Sequence, residues 1–352
     1  MNQDRFKSLK YLLFLIPIIN LISIPVLNYS NIGMDYPKFP SSMFYTSNII
    51  NKSSIEIALD EQVKFSTDYF GFRKNTEIEI DYENKKGFRI IIIGGSTSLD
   101  DHVNDDETWA NLLNRKLLKI NKEIEIINTS VNGLLLKDHL KTINAMKNYN
   151  PDLFVFKIPF NDITLHISNP KKTNSFYSYY MPFEISIFYV LLKKIRNIYF
   201  IKYHAGYQTS EKNLIIPKIN KLKKNGQIIN SVSKNSKYYL DRIVQFCNKK
   251  KIKCIFVNHP NMYEVNSAKQ YSDFFWRNKL EPGQMLKAIN IYNNYLKKME
   301  GDNIIYFDLD SKLNKQFKYF YDEIHFTKLG TRKVADEIYN FILSNNIMKL
   351  NQ

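Results

Sequence analysis

Residues 89–98 read Arg-Ile-Ile-Ile-Ile-Gly-Gly-Ser-Thr-Ser. Four β-branched side chains in succession leave no polar face. A short strand that is apolar at every residue, rather than at every second one, belongs in a parallel sheet covered on both sides. The two glycines allow a sharp turn at the strand's end. Ser96 follows them, so its hydroxyl can project at the sheet edge with backbone N–H groups around it. Taken alone, Gly-Gly-Ser is compatible with a plain turn. The phosphate-cradling loop is excluded, because no lysine follows at the spacing it requires.

Working outward, the same alternation of apolar runs and amphipathic helices continues to the carboxyl end. Strands are predicted at 89–93, 123–128, 152–158 (introduced by Pro151), 252–258 and 304–308, and helices at 106–120, 137–148, 237–249 and 328–344. In the first helix Trp109, Leu112, Leu113, the stem of Lys116, Leu117 and Ile120 share one face, with Asp105 or Asp106 as the cap. Thr327 is placed to cap the last. Strand–helix alternation of this kind predicts a doubly wound, mostly parallel, five-stranded α/β sheet, whose reacting groups gather outside the carboxyl ends of the strands. The approach segment 31–86 shows little regular patterning. Between 163 and 236 the alternation breaks. There Tyr177, Tyr179, Tyr180, Phe183, Phe188 and Tyr189 lead into a basic amphipathic stretch at 190–201, which suits a lid over an apolar acyl group, a helix lying on a bilayer, or an insertion that only adds core.

The 352 residues carry a formal net charge of +16. The excess is mostly lysine, spread along the chain with asparagine and isoleucine, and reads as a composition bias. The densest runs, 218–224 and 249–253, read as solvated loops. They lack the interleaved aromatics of single-strand binders, so nucleic acid is not expected as a partner. Cys247 and Cys254 have no zinc-ligand spacing around them and join a helix end to a strand; both are expected buried and reduced. At the amino terminus Arg5, Lys7 and Lys10 precede an apolar run at 11–27. Its length is at the short end for a membrane-spanning helix, and no convincing cleavage site follows it. The run is expected to be an uncleaved anchor in a segment 1–30, with the basic flank cytoplasmic and the domain at 87–347 extracytoplasmic, in the periplasm or at the outer surface.

Four strand ends carry candidate chemistry. Ser96 follows the first. The second ends Asn128-Thr129-Ser130-Val131-Asn132-Gly133, and its glycine can bring a backbone N–H to the same edge. The third ends Pro159-Phe160-Asn161-Asp162, where an amide side chain can donate to a developing oxyanion. Each of these is also compatible with an ordinary turn. After the fifth strand comes Asp322-Glu323-Ile324-His325-Phe326-Thr327-Lys328-Leu329-Gly330. A carboxylate and an imidazole three residues apart can hydrogen-bond, fixing the ring's tautomer and stabilising its protonated form. A metal half-site or a surface pair would use the same spacing, but no second cluster of ligands completes a metal site. His259, beside Pro260, is the other histidine at a strand end.

These pieces, in this order, resemble the SGNH hydrolases, also called the GDSL esterase/lipase superfamily, over roughly 89–344. The run Asp68-Tyr69-Phe70-Gly71-Phe72-Arg73 resembles the lead-in of its membrane-anchored bacterial members. The resemblance implies a flavodoxin-like sheet and a serine hydrolase without cofactor or metal. By it Ser96 is the nucleophile, Asp322 and His325 complete a triad, and Ser96, Gly133 and Asn161 form the oxyanion hole; Gly330 stands at the expected place beyond the histidine. His259 could line the pocket. Two positions depart from the pattern: Gly95 replaces the usual aspartate and Pro159 the usual glycine. The expected activity is cleavage of ester-linked acyl groups, on cell-envelope glycans or lipids. The alternatives are acyl transfer to a glycan hydroxyl and a catalytically silent glycan-binding module.

Overall fold

The computed structural model describes residues 36, 38–39, 42–51, 59–174, 212–216, 225–263 and 280–348. In chain order these form β1 (Phe44–Asn51), β2 (Gln62–Ser66), β3 (Phe88–Gly94), the short helix α1 (Ser96–Leu99), α2 (Trp109–Leu118), β4 (Ile124–Asn128), α3 (Leu136–Met146), β5 (Leu153–Lys157), α4 (Phe160–Ser168), α5 (Pro170–Asn174), β6 (Lys212–Ile216), α6 (Lys234–Lys250), β7 (Lys253–Val257), α7 (Pro282–Lys297), β8 (Ile304–Phe307) and α8 (Lys328–Ser344). The expected anchor at 1–30, the aromatic cluster at 177–189 and the stretch at 190–201 lie outside the described residues. Among the described residues no helix is long and apolar enough to cross a membrane.

Five strands form one sheet in the order β4-β3-β5-β7-β8, every neighbour parallel. The all-isoleucine strand explains itself here. Ile90 and Ile92 face one layer, with Trp109, Leu113 and Leu117 of α2, Ile289 of α7 and Val334 and Ile338 of α8. Ile91 and Ile93 face the other, with Leu136, Ile143 and Met146 of α3 and Leu240 and Ile243 of α6. A strand with a helix layer on each side has no solvent face on which to place polar residues. Arg89 is the exception at the strand's start, and it is paired: its guanidinium donates to Glu125 on β4 and to the Tyr149 carbonyl.

The segment 31–86 is more regular than expected. β1 pairs antiparallel with β2 and parallel with β6, in a three-stranded sheet of order β2-β1-β6. In β2, Val63 and Phe65 are wholly buried while Gln62 and Lys64 are exposed, and the Phe65 ring stacks on Tyr45 at 4.7 Å. The run 44–51 carries Thr, Ser and Asn among its apolar residues, and its second partner lies far away in sequence, so the pairing leaves little local signal. The lead-in at 68–73 fastens this region to the main sheet. Asp68 accepts from Phe70 N and Phe72 N, and Arg73 N donates to the Asn128 carbonyl at the end of β4.

Other expectations need correction. Thr108 caps α2, accepting from Asn111 N at 3.3 Å; Asp105 is drawn away by Ser66 and the buried Arg73. Ile120 lies beyond the helix end and is exposed. No helix is predicted from the sequence at 282–297, where α7 stands; its Pro282 occupies the first turn, for which proline is well suited. Cys247 and Cys254 are buried as expected but form a disulfide, with Cα atoms 6.3 Å apart, rather than standing reduced. The left-handed Lys251 at the end of α6 folds the chain back so that β7 starts beside the helix it has just left.

Candidate active site

The candidate residues gather at the carboxyl ends of β3, β5, β7 and β8. Ser96 is half-buried and opens α1 directly after β3, with Ser98 N and Leu99 N both bonded back to the Gly95 carbonyl. Its Oγ lies 2.6 Å from His325 Nε2. His325 Nδ1 lies 2.6 Å from Asp322 Oδ2. The other oxygen, Asp322 Oδ1, accepts from Ile324 N at 2.9 Å and His325 N at 2.7 Å. An aspartate whose carboxylate receives the next backbone amides makes a tight local turn, and that turn places the imidazole against the second oxygen. Asp322 is wholly buried, so both oxygens depend on these partners. With Nδ1–H donated to the carboxylate, Nε2 presents its lone pair to the serine hydroxyl. The turn is held from both sides: Met262 N, beyond β7, donates to the Glu323 carbonyl, and Thr327 N donates to the Tyr319 carbonyl. Gly330 is required by close approach, since a Cβ there would stand 2.0 Å from the Tyr319 carbonyl oxygen.

No family model and no curated protein matches the chain. Solved structures do. An acetyl xylan esterase, AlAXEase, is 14% identical over 72% of this chain and 100% of its own, with a TM-score of 0.41. A catalytic mutant of Axe2, an acetylxylan esterase from Geobacillus stearothermophilus, is 13% identical over 74% of this chain and 96% of its own, TM-score 0.42. A lipase/acylhydrolase from Enterococcus faecalis is 13% identical over 74% and 97%, TM-score 0.41. At this identity and overlap the likeness decides neither activity nor substrate; the chain's own geometry has to.

Asn161 lies in the first turn of α4 and reaches the same pocket as Ser96. Its Nδ2 donates to the Leu134 carbonyl at 2.9 Å, and its second N–H has no partner among the described residues. A Cβ on Gly95 would stand 3.0 Å from that nitrogen, so the departure to glycine gives the amide room. Gly133 adopts φ +74° in the exposed turn between β4 and α3. Val131 N, two residues before it, donates to the Gly94 carbonyl and draws that turn to the end of β3. No hydrogen bond among the described residues joins Gly133 to Ser96.

His259 is buried beside the Ser96 turn, with Nδ1 3.4 Å from Thr97 Oγ1 and its ring 5.6 Å from Phe160. Burial, with the nearby Lys157 and His325, holds its pKa well below the ordinary range, so it is neutral. Two further groups escaped the sequence reading. Lys157, the last residue of β5, is wholly buried; its Nζ donates to the Thr97 carbonyl at 3.0 Å and lies 4.2 Å from the centre of the Phe326 ring. Burial pushes its pKa down, and burial pushes up that of Asp100, which accepts from Trp109 N. A lysine interrupting the apolar run Phe-Val-Phe-Lys-Ile was the available signal. His139 of α3 is buried with no partner on Nδ1 among the described residues, and burial alone lowers its pKa to about 3.

Ser96, Asn161, Lys157, His139 and His259 share a cavity of about 10 Å³, roughly the room of one water molecule. Among the described residues no group of three His, Cys, Asp or Glu side chains is placed to hold a metal ion.

Proposed function

We propose that the chain is a serine esterase of the SGNH type, and the observation that carries this is the run Ser96 Oγ, His325 Nε2, His325 Nδ1, Asp322 Oδ2, with both gaps at 2.6 Å. Ser96 Oγ bonds to the carbonyl carbon of an ester as its proton passes to His325 Nε2. Asp322 holds the ring and stabilises the imidazolium. The carbonyl oxygen takes the negative charge and is met by the N–H groups of Ser96 and Gly133 and the second N–H of Asn161. Collapse breaks the bond to the alcohol, which leaves with the proton from His325. Water then repeats the sequence, releasing the carboxylic acid and restoring Ser96.

The acyl group is taken to be short, such as acetyl, in keeping with the small space that the described residues leave beside Ser96. Two features support an ester on cell-envelope material: the basic, then apolar, amino-terminal run, which suits a membrane anchor, and the Cys247–Cys254 disulfide, which suits an oxidising extracytoplasmic compartment. Hydrolysis of 4-nitrophenyl acetate and 4-nitrophenyl octanoate by the full chain tests the reading. The acetate is expected to turn over with the larger kcat/KM, and Ser96→Ala to abolish both rates. Equal rates for wild type and Ser96→Ala contradict the esterase; a preference for octanoate contradicts the short acyl group.

A further inference from the structure

A second carboxylate–imidazole pair stands beside the first and has no part in the steps above. His102 Nδ1 lies 2.7 Å from Asp101 Oδ1, and Asp101 Oδ2 accepts from Asn132 Nδ2 at 2.7 Å. The Tyr321 hydroxyl is 2.8 Å from the same His102 nitrogen. Tyr321 joins the two pairs. Its ring is stacked on His325 at 5.5 Å and 11°, and lies 4.4 Å from the His102 ring. Burial works to raise the Asp101 pKa, but the bonds from His102 and Asn132 and the nearby His325 outweigh it and hold the carboxyl well below the usual range.

Unlike Asp322, this pair opens to solvent: the Asp101 and His102 side chains are 12% and 13% exposed, and Asn132 is exposed. His102 Nε2 has no hydrogen-bond partner among the described residues. The reaction itself says what meets it. The leaving alcohol takes its proton from His325 Nε2, so the alcohol half of the ester is released beside His325, and Tyr321, whose ring stacks on His325, also contacts His102. At the other end Asn132 adjoins Gly133, in the turn that meets the carbonyl oxygen. An ionised carboxylate, a side-chain amide and an imidazole with a free nitrogen offer both donors and acceptors over a short span. That is the chemistry that holds neighbouring hydroxyls.

We infer that Asp101, His102 and Asn132 form a subsite for a polyhydroxylated alcohol, a sugar ring bearing the acyl group beside free hydroxyls, with Tyr321 as the positioning residue that fixes it against His325. The inference rests on the esterase reading and names its substrate's alcohol half.

The test compares two acetates with the full chain, a mono-O-acetylated methyl glycoside and 4-nitrophenyl acetate. In His102→Leu, and separately in the exposed Asn132→Ala, the ratio of kcat/KM for the glycoside to that for the aryl ester is expected to fall about fivefold, the worth of one hydrogen bond. An unchanged ratio in Asn132→Ala and His102→Leu, with Ser96 still labelled by a fluorophosphonate in both, overturns the subsite and leaves the esterase standing. Absence of labelling in the wild-type chain overturns the esterase reading and the subsite with it.

Discussion

Two aspartate–histidine pairs flank Tyr321, with nearly the same Nδ1 to carboxylate distance, 2.6 Å for Asp322–His325 and 2.7 Å for Asp101–His102. What separates them is everything else. Asp322 is wholly buried and its other oxygen takes two backbone amides, whereas Asp101 is partly exposed and takes a side-chain amide. His325 turns its far nitrogen to a serine hydroxyl; His102 turns its far nitrogen to no described group. A carboxylate beside an imidazole therefore fixes a tautomer and stabilises the imidazolium, but does not by itself set the pair's role. The group opposite the far nitrogen decides whether the pair activates a nucleophile or binds a ligand.

Removing each carboxylate's charge is the sharpest way to break that comparison. Asp322→Asn is expected to lower kcat for an aryl acetate roughly 10,000-fold, the scale seen when such an orienting aspartate is lost. Asp101→Asn is expected to cost less than about tenfold on the same substrate, because it abolishes one polar contact and leaves the triad in place. Comparable losses would mean that the two pairs act as one unit. Next in size is the oxyanion contact. Asn161→Ala is expected to lower kcat about 100- to 1,000-fold with KM little changed, and a loss carried wholly in KM would assign the amide to binding instead.

A third imidazole, without a carboxylate partner, gives the smallest effect and a different readout. Burial holds His139 near pKa 3 against an ordinary 6.5. Between those values the unfolded chain takes up a proton that the folded chain refuses. Folding stability is therefore lost as pH falls through that window, at up to about 1.4 kcal/mol per pH unit. His139→Gln is expected to flatten this slope in urea midpoints measured from pH 6.5 down to pH 4. A slope as steep as that of the wild type would place the acid sensitivity elsewhere.

How much of this was legible in the sequence follows from range. Strand β3 was readable because Arg-Ile-Ile-Ile-Ile declares burial on both faces within five residues, and the other four core strands because short apolar runs alternate with amphipathic helices along the chain. Asp322 and His325 were readable because their contact is made inside one turn. Strand β1 was not, since its partners are remote and its own residues are mixed. The disulfide was missed because the separation of seven residues says nothing of the left-handed Lys251 that turns β7 back beside α6. The second pair was hidden for the same reason as β1. Asp101 and His102 are neighbours in the chain, but Tyr321 reaches them from 219 residues away from His102, and only the folded sheet brings them beside His325.

The most direct measurement is mass spectrometry of peptides from the full chain after reaction with a fluorophosphonate. A single phosphonyl adduct is expected, on the peptide carrying Ser96, formed quickly in the wild type and at least about 1,000-fold more slowly in Asp322→Asn. An adduct on another serine, or no dependence of the rate on Asp322, would contradict it.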